Sequence, residues 1–572
     1  MKIHHCFLMI AIPLASFGQP APQQEVKKGS IDGVVLVETT REPVRRVQVM
    51  AYPRRTSAGP ATTMGQPQSF TATTDAEGKF TIGNLEPGDY FLNIQKQGFT
   101  VARRSTFASS MQIKVGEGET VKGLRYALLP QAVIAGKVLD DEGEPVQGAH
   151  VQALAQQAMR GRKSWLPTAQ GVQTNDRGEF RLANLLPGKV ILQVSAAYQS
   201  MMTQEQARPG QPAMGFADTF YPGVTEPARA MQVELTAGAE LTGYDVQLKK
   251  VPVHRVRGKV LAADGSPAKE FYVSLSSREE PGGGMGVMGV SRAPRSFTRK
   301  EDGTFEVGGV PQGAYLAVVN VMNRANPTER QVATAPVDVS DRDVEDLTLQ
   351  LSLPITLTGS VVLDGALPTG EKPAPGNVSI QLAPADTGML MFAGGAMPGR
   401  PKDDGTFSLQ ISAPGKYRFF VNGGMGQATY LASIRAGGEE YIAKEIDLSG
   451  AAPGAVKIVY RTDGGKVFGT VERGEDQTGG PVMAVVLSKD PALRTGPAGR
   501  QIAQVNQNGA FEMSNLRPGE YLALALASAD IQQLEDEETM KAFESKFQVV
   551  KVTASGSVAV QLKVLAVPAD GK

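Results

Sequence analysis

The feature that most constrains the fold is a pattern of glycine and aromatic residues that recurs five times along the chain. In each copy a turn glycine is followed two residues later by phenylalanine, and a second glycine lies ten residues after the first. Upstream, each copy opens with Gly-x-Val, and the steps between successive opening glycines are 103, 122, 101 and 110 residues. Repetition at fixed offsets indicates one structural unit used about five times. The repeated phenylalanines are Phe80, Phe180, Phe305, Phe407 and Phe511.

Within one copy, the residues around the phenylalanine have the chemistry of strands joined by tight turns. Asp75 can accept hydrogen bonds from the backbone ahead of it, and Gly78 can adopt a positive φ, so residues 75–78 predict a turn. Phe80 and Ile82 alternate with Thr81, which predicts a strand whose aromatic side chain faces a core. Short strands at this spacing favour a β-sandwich, and we expect the repeated phenylalanine to anchor each core.

The repeat therefore predicts an all-β chain, a tandem array of about five Ig-like or transthyretin-like β-sandwich modules with one short helix in the last. Module 2 carries long insertions, and residues 530–547 of module 5 have the pattern of a helix. The apolar face of that helix would be Leu534, Met540, Ala542 and Phe543. The predicted segments are a signal peptide at 1–18 and modules at 25–129, 130–250, 251–353, 354–462 and 463–567.

The first residues have the pattern of a secretory signal. Lys2 lies in a short polar region, and the apolar stretch from Cys6 to Phe17 is too short to span a bilayer. Ser16 and Gly18 place small residues where cleavage after Gly18 requires them, although a buried first strand or a membrane anchor would also explain the stretch. We expect an exported protein, periplasmic, cell-surface or secreted, whose mature chain lacks cysteine and does not insert into a membrane.

The motifs of the repeat resemble those of carboxypeptidase regulatory-like domains. This resemblance implies seven-stranded transthyretin-like sandwiches, which are also classed with carbohydrate-binding-like folds. Chains with several copies and a Tyr-Pro-Gly segment like residues 221–223 look like secreted bacterial proteins. The match is weaker in copy 4, where Ser412 replaces Leu or Val. The second copy shows the pattern as Gly136-Lys137-Val138, Gly143-Glu144-Pro145-Val146, Asn175-Asp176-Arg177-Gly178-Glu179-Phe180 and Leu185-Leu186-Pro187-Gly188.

The sequence offers little that catalysis needs. After the expected signal only His150 and His254 remain, and neither has Glu three residues later, as a zinc peptidase requires. A Ser–His–Asp triad would need one of the same two histidines. Acidic turns such as Asp403-Asp404 carry too few carboxylates for the six to eight oxygens that calcium takes, although a calcium-binding loop stays open. We predict no enzymatic activity, no catalytic or metal-binding residue and no cofactor.

The expected function is that of a non-catalytic exported binding or structural protein. Lys+Arg and Asp+Glu are both 58, so the net charge gives no reason to bind nucleic acid. The partner would be another surface protein or an extracellular or cell-wall polysaccharide, and carbohydrate binding through module loops is the alternative function. Flat aromatic faces can stack on sugars, although they can equally hold long loops against a sandwich. The candidate ligand-binding residues lie on the module 2 insertions: Trp165, Tyr198, Phe216, Phe220 and Tyr221.

Overall fold

In the computed structural model of the chain, the described part is almost entirely β-structure. Five hydrophobic cores follow one another along the sequence, one for each copy of the repeat. The predicted all-β array of sandwich modules is therefore confirmed. The expected signal peptide lies outside the described residues. These are 27–53, 69–101, 111–159, 162–196, 213–278, 295–298, 302–322, 330–368, 370–385, 398–426, 428–450, 453–472, 482–494, 496, 498–506, 508–527, 531, 534, 540–541 and 543–565.

The strands are numbered in chain order. Module 1 contains β1 (Gly29–Val37), β2 (Gln48–Pro53), β3 (Phe70–Thr73), β4 (Lys79–Leu85), β5 (Gly88–Gln95), β6 (Phe99–Val101), β7 (Met111–Val115) and β8 (Thr120–Pro130). Module 2 contains β9 (Ala132–Leu139), β10 (His150–Met159), β11 (Arg162–Pro167), β12 (Val172–Gln173), β13 (Glu179–Leu185), β14 (Gly188–Ser195), β15 (Met214–Phe216), β16 (Thr219–Phe220), β17 (Val233–Leu235), β18 (Glu240–Leu241) and β19 (Val246–Gln247). Module 3 contains β20 (Lys250–Leu261), β21 (Phe271–Ser277), β22 (Arg295–Thr298), β23 (Thr304–Pro311), β24 (Gly313–Met322), β25 (Arg330–Val339) and β26 (Val344–Gln350).

The last two modules complete the array. Module 4 contains β27 (Ile355–Asp364), β28 (Ser379–Pro384), β29 (Thr406–Ile411), β30 (Lys416–Asn422), β31 (Tyr430–Ala436), β32 (Glu439–Glu440), β33 (Ile446–Asp447) and β34 (Val456–Arg461). Module 5 contains β35 (Gly465–Glu472), β36 (Val482–Ser488), β37 (Arg500–Gln504), β38 (Ala510–Leu516), β39 (Gly519–Ala527), β40 (Gln548–Val552) and β41 (Ser557–Leu565). The described helical residues form one short α-helix, α1 (Pro491–Arg494), and 3-10 turns at Pro227–Arg229, Pro375–Asn377 and Glu544–Lys546, with further helical residues within 531–543.

The same topology recurs in every module. In module 1 the two sheets have the orders β4-β1-β8-β6 and β3-β2-β5-β7, and they enclose the core between them. The first strand of each module pairs antiparallel with the strand that carries the repeated phenylalanine, and parallel with the last strand of the module. In module 5 the last strand, β41, also pairs with β39, so both sheets join along this edge.

The two halves of the sequence repeat are physical partners. In every module the opening glycine stands directly opposite the repeated phenylalanine, as Gly33 does opposite Phe80. A Cβ added at Gly33 would come within 2.6 Å of the Phe80 ring, and one added at Gly469 would come within 1.7 Å of the Val560 carbonyl oxygen. The glycine therefore permits a close approach that a side chain would prevent. The repeated phenylalanines are all buried in their cores.

A tyrosine hydroxyl closes the turn that follows the repeated phenylalanine in four modules. Each hydroxyl donates a hydrogen bond to the carbonyl oxygen four residues earlier, across the Pro-Gly turn or its equivalent. In module 2 the same position holds Val190, which is buried and makes no such bond. The tyrosines are Tyr90, Tyr315, Tyr417 and Tyr521.

Module 5 has a second apolar layer on the outer face of one sheet. Leu534 and Met540 pack against Val485 and Leu524 on that face. Met540, Lys541 and Phe543 are helical, as the sequence predicts, whereas Ala542 lies outside the described residues. Leu534 and Met540 therefore cover apolar side chains of this sheet face that water would otherwise contact.

Candidate functional site

Described residues of the module 2 insertion pack on the outer face of the sheet that contains β10 and β14. β16 pairs with β14, so that Phe220 stands opposite Gln193. The backbone amide of Tyr221 donates to the Leu192 carbonyl oxygen at 3.0 Å, and the Met231 amide donates to the Tyr221 carbonyl oxygen. These bonds tie the connection between β14 and β17 to the sheet and place several of the predicted aromatics on it.

Trp165 and Phe220 belong to one small apolar cluster on this outer face. Phe220, Leu154 and Ile191 are buried there, and Trp165 packs against them while remaining partly exposed. Phe220 is only 1% exposed, so its ring packs inward here, and its role as a ligand-contact residue stays a prediction. The burial of Leu154 and Ile191, which point away from the sandwich core, explains why an aromatic in a long connection packs inward.

Phe216 and Tyr221 do not belong to this cluster. Phe216 packs against the module 2 core, and its ring centroid lies 5.8 Å from the Lys250 Nζ. Tyr221 also packs against that core, and its ring lies 5.2 Å from the Tyr244 ring. Tyr198 lies outside the described residues. Trp165 is therefore the member of the set whose described side chain combines partial exposure with a place in the outer-face cluster.

A short polar network adjoins the cluster. The Gln152 amide donates to the Gln193 side-chain oxygen, and the Gln193 amide donates to the Asp218 carboxylate at 3.1 Å. Gln193 is buried, so its amide needs partners, and the insertion supplies one of them through Asp218. These amide and carboxylate groups could contact ligand hydroxyl groups, but here they bond one another.

The residues considered as metal ligands lie in ordinary strands and turns. Among the described residues, no group of three or more His, Cys, Asp or Glu side chains lies close enough to hold a metal ion. His150 and His254 each lie within a strand, on β10 and β20. The Asp404 carboxylate accepts hydrogen bonds from the Thr406 hydroxyl and amide at 2.7 and 2.8 Å, and these bonds lower the pKa of Asp404. Asp404 thus has the turn-closing role that the sequence assigned to such residues.

Sequence reasoning missed a buried threonine that modules 1 and 2 share. The Thr74 hydroxyl accepts from the Val47 amide at 2.9 Å and donates to the Val44 carbonyl oxygen at 2.7 Å. Thr174 makes the equivalent pair of bonds in module 2. The signal was a threonine directly before the turn, at Thr74-Asp75 and Thr174-Asn175. Each hydroxyl fixes two backbone groups of the connection between the first two strands.

Sequence reasoning also missed an asparagine with a left-handed backbone. Asn84, Asn184 and Asn515 have φ values of 62, 62 and 61°. In each case the pairing between the first strand and the strand of the repeated phenylalanine is irregular next to this residue. Asparagine tolerates this conformation better than most residues, which explains its recurrence before Leu-x-Pro-Gly.

Backbone hydrogen bonds connect neighbouring modules at the first two junctions. The Pro130 carbonyl oxygen, at the end of module 1, accepts from the Gly238 amide of module 2 at 3.0 Å. Between modules 2 and 3, β15 of the insertion pairs antiparallel with the first residues of β20. β20 therefore spans residues 250 and 251, between which the sequence placed a module boundary.

Side-chain contacts connect the modules at the last two junctions, and a backbone bond adds to them at the last. Val318 and Val332 of module 3 pack with Ala413 of module 4 and are almost completely buried. The Tyr430 hydroxyl of module 4 donates to the Asp463 carboxylate at 2.9 Å. The Asp463 carbonyl oxygen in turn accepts from the Ser555 amide of module 5 at 2.8 Å. Burial and the bond to Asp463 raise the pKa of Tyr430 to about 12.

Comparisons with known proteins point to the type of module. The model of the carboxypeptidase regulatory-like domain matches residues 30–122 and 133–215. The BOS complex subunit NOMO1 of Mus musculus is 33% identical over 119 residues, which are 20% of this chain and 9% of that protein. The chain thus spans only a small part of the length of this relative.

Solved structures give more distant similarities. The minor pilin GBS52 of Streptococcus agalactiae is 16% identical, with a TM-score of 0.21 over 39% of this chain and 97% of that chain. Two B repeat units of the collagen binding protein of Staphylococcus aureus are 11% identical, with a TM-score of 0.13 over 77% of this chain and 100% of that chain. Within the described residues, no helix has the length and apolar character to span a membrane. Modules 1 and 2, in which the buried threonine recurs, are similar to carboxypeptidase regulatory-like domains.

Proposed function

We propose that the chain is a non-catalytic exported structural protein that acts as a spacer of defined shape and carries binding surfaces on its module loops. The observation that supports this function most directly is the set of contacts at all four junctions. Sheet pairing, a buried apolar contact and a Tyr430–Asp463 hydrogen bond each restrict how neighbouring modules can rotate. A protein that separates or displays other molecules needs such restricted joints, whereas an array of independent binding modules does not.

Small-angle X-ray scattering of the exported chain tests the spacer function. We expect the scattering curve to fit a single arrangement of modules, since hydrogen bonds or apolar packing connect the modules at every junction. Tyr430→Phe and Asp463→Ala, which remove the hydrogen bond at the last junction, should each broaden the distribution of distances. Tyr441→Phe, a tyrosine of module 4 away from that bond, is the control. A wild-type curve that requires freely jointed modules would contradict the proposal.

The non-catalytic part of the proposal has its own test. Panels of peptidase and glycosidase substrates should show no turnover above the rate of buffer alone. Turnover that follows the protein through purification and disappears on unfolding would overturn this part and leave the spacer function untouched.

A second candidate function is the binding of a polysaccharide at Trp165. The observation that favours it is the partial exposure of this indole beside the apolar cluster, since an indole face can stack on the C–H face of a sugar. Trp165 is the only tryptophan, so its emission reports on this position alone. Adding cell-wall or plant polysaccharide should shift the emission, and Trp165→Ala should abolish retention on that polysaccharide. Phe468→Ala, which truncates an exposed aromatic of module 5, should retain binding. An emission maximum insensitive to every glycan would assign Trp165 to packing.

A further inference from the structure

We propose that modules 2 and 3 unfold as a single cooperative unit, because a strand from the module 2 insertion is built into a sheet of module 3. β15 (Met214–Phe216) pairs antiparallel with residues 250–252, the first three residues of β20. The resulting sheet has the order β15-β20-β23, with β26 also paired to β20. This inference rests on the contacts between these two modules and holds whether or not the chain acts as a spacer.

The pairing is longer than the three residues of β15. The Val253 amide donates to the Ala213 carbonyl oxygen at 2.8 Å, and the Ala217 amide donates to the Lys249 carbonyl oxygen at 3.1 Å. Gly215 stands opposite Val251 midway between these bonds. In an antiparallel ladder, this is the position at which two residues exchange both of their N–H···O bonds. Residues 213–217, which we call the strap, therefore pair with residues 249–253 at the start of β20.

Side chains add a second attachment between the modules. The Lys250 Nζ lies 3.0 Å from the Asp141 carboxylate in the turn that follows β9, and this contact raises the pKa of Lys250. The Lys250 Nζ also lies near the ring of Phe216, which packs against the module 2 core. The first residue of β20 is thus held by module 2 from two directions.

The remainder of β20 is central to module 3. It pairs with β23 on one side and β26 on the other, and its Val256 and Val260 are completely buried in the module 3 core. Unfolding of module 3 must remove β20 from the strap, and unfolding of module 2 must remove the strap from β20. Each module therefore loses sheet pairing when the other unfolds, which is the condition for a shared transition.

Module 1 provides an internal reference. Its corresponding strand, β6, pairs with β8 of the same module rather than with a strand of module 2. We therefore expect module 1 to exchange and unfold separately from the unit of modules 2 and 3.

Native-state hydrogen exchange of the whole chain in increasing denaturant tests the proposal. The slowest amides of β9 and β13 should share one unfolding free energy and one denaturant slope with those of β20 and β23, since the slope follows the surface exposed. Amides of β1 and β4 should follow a different curve. Gly215→Pro removes a central amide of the strap, so the Val251 and Val253 amides should exchange about tenfold faster, and the common curve should separate into two. Thr100→Pro, the matched change on β6, should leave the common curve intact.

The wild-type measurement remains decisive whatever the variants do. Separate curves for modules 2 and 3 in the unmodified chain would overturn the proposal. If Gly215→Pro unfolds module 2 entirely, loss of protection in β20 and β23 in the same sample supports the shared unit. Retention of full protection in module 3 contradicts it. Ala217→Pro, which removes only the bond to the Lys249 carbonyl oxygen, should give a smaller change of the same kind.

Discussion

At the scale of single residues, five phenylalanines occupy equivalent positions in five cores. Their place was predictable because the turn glycine fixes where the strand begins, and alternation then fixes which side chains face inward. Phe220 shows the limit of this reasoning. No turn or period marks its orientation in a long connection, so the sequence could not distinguish an aromatic that contacts a ligand from one that packs against Leu154 and Ile191.

Phe180→Ala should destabilise module 2 strongly. Phe180 is buried among Ile134, Leu182 and Val246, and its removal would leave a cavity that a rigid sandwich cannot fill. The expected loss is about 3–5 kcal/mol in the free energy of unfolding. Denaturant unfolding followed by exchange at β13 measures it. The control is Phe468→Ala, since this side chain is 39% exposed, and it should cost far less. Equal effects of the two changes would show that Phe180 does not anchor the core.

At the scale of elements, the opening glycine and the repeated phenylalanine form one cross-strand unit. Their relation was not visible in the sequence, because about 45 residues separate them and no period links one to the other. The same limit applies to β15. A strand of three residues carries no pattern that states which sheet it will join, and here it joins the sheet of the next module.

Gly469→Ala should destabilise module 5. The added Cβ would lie 1.7 Å from the Val560 carbonyl oxygen, so the parallel pairing of β35 with β41 would have to move apart. We expect a loss of roughly 1–3 kcal/mol, typical of forced displacement in a packed interior. Calorimetry of the full chain should show the effect in one transition. Gly83→Ala is the matched control, because a Cβ added there would have no atom within 4 Å and the φ of Gly83 is not left-handed. A stability unchanged by Gly469→Ala would mean that β35 and β41 can separate without cost.

At the scale of the whole molecule, the modules share a topology but differ in how their outer sheet faces are covered. Module 2 uses its own insertion, module 5 uses its helical segment, and module 3 uses module 4. The all-β architecture followed from the repeat. The helical segment of module 5 was also predicted from its apolar pattern, whereas the covers of modules 2 and 3 were not, because no sequence period marks which sheet face they contact.

Alkaline pH should unfold modules 4 and 5 before module 2. Burial raises the pKa of Tyr417 and Tyr521 to about 12, and burial with the bond to Asp463 does the same for Tyr430. In the unfolded chain these tyrosines ionise near the ordinary pKa of 10.0. Their contribution to the free energy of unfolding is therefore fully present below pH 10 and is lost as the pH rises toward 12. Tyrosinate absorbance and module-resolved exchange at pH 9 and pH 11 measure this order. Loss of module 2 first would contradict it.

The parallel pairing of the first and last strands determines how each module would respond to tension. Because β1 and β8 run side by side in the same direction, the chain enters module 1 at one end of this ladder and leaves at the other. β35 and β41 are arranged in the same way in module 5. A pull on the two ends of the protein would therefore load these ladders along their length, so that many hydrogen bonds share the force at once. A hairpin pulled from one end would instead open bond by bond.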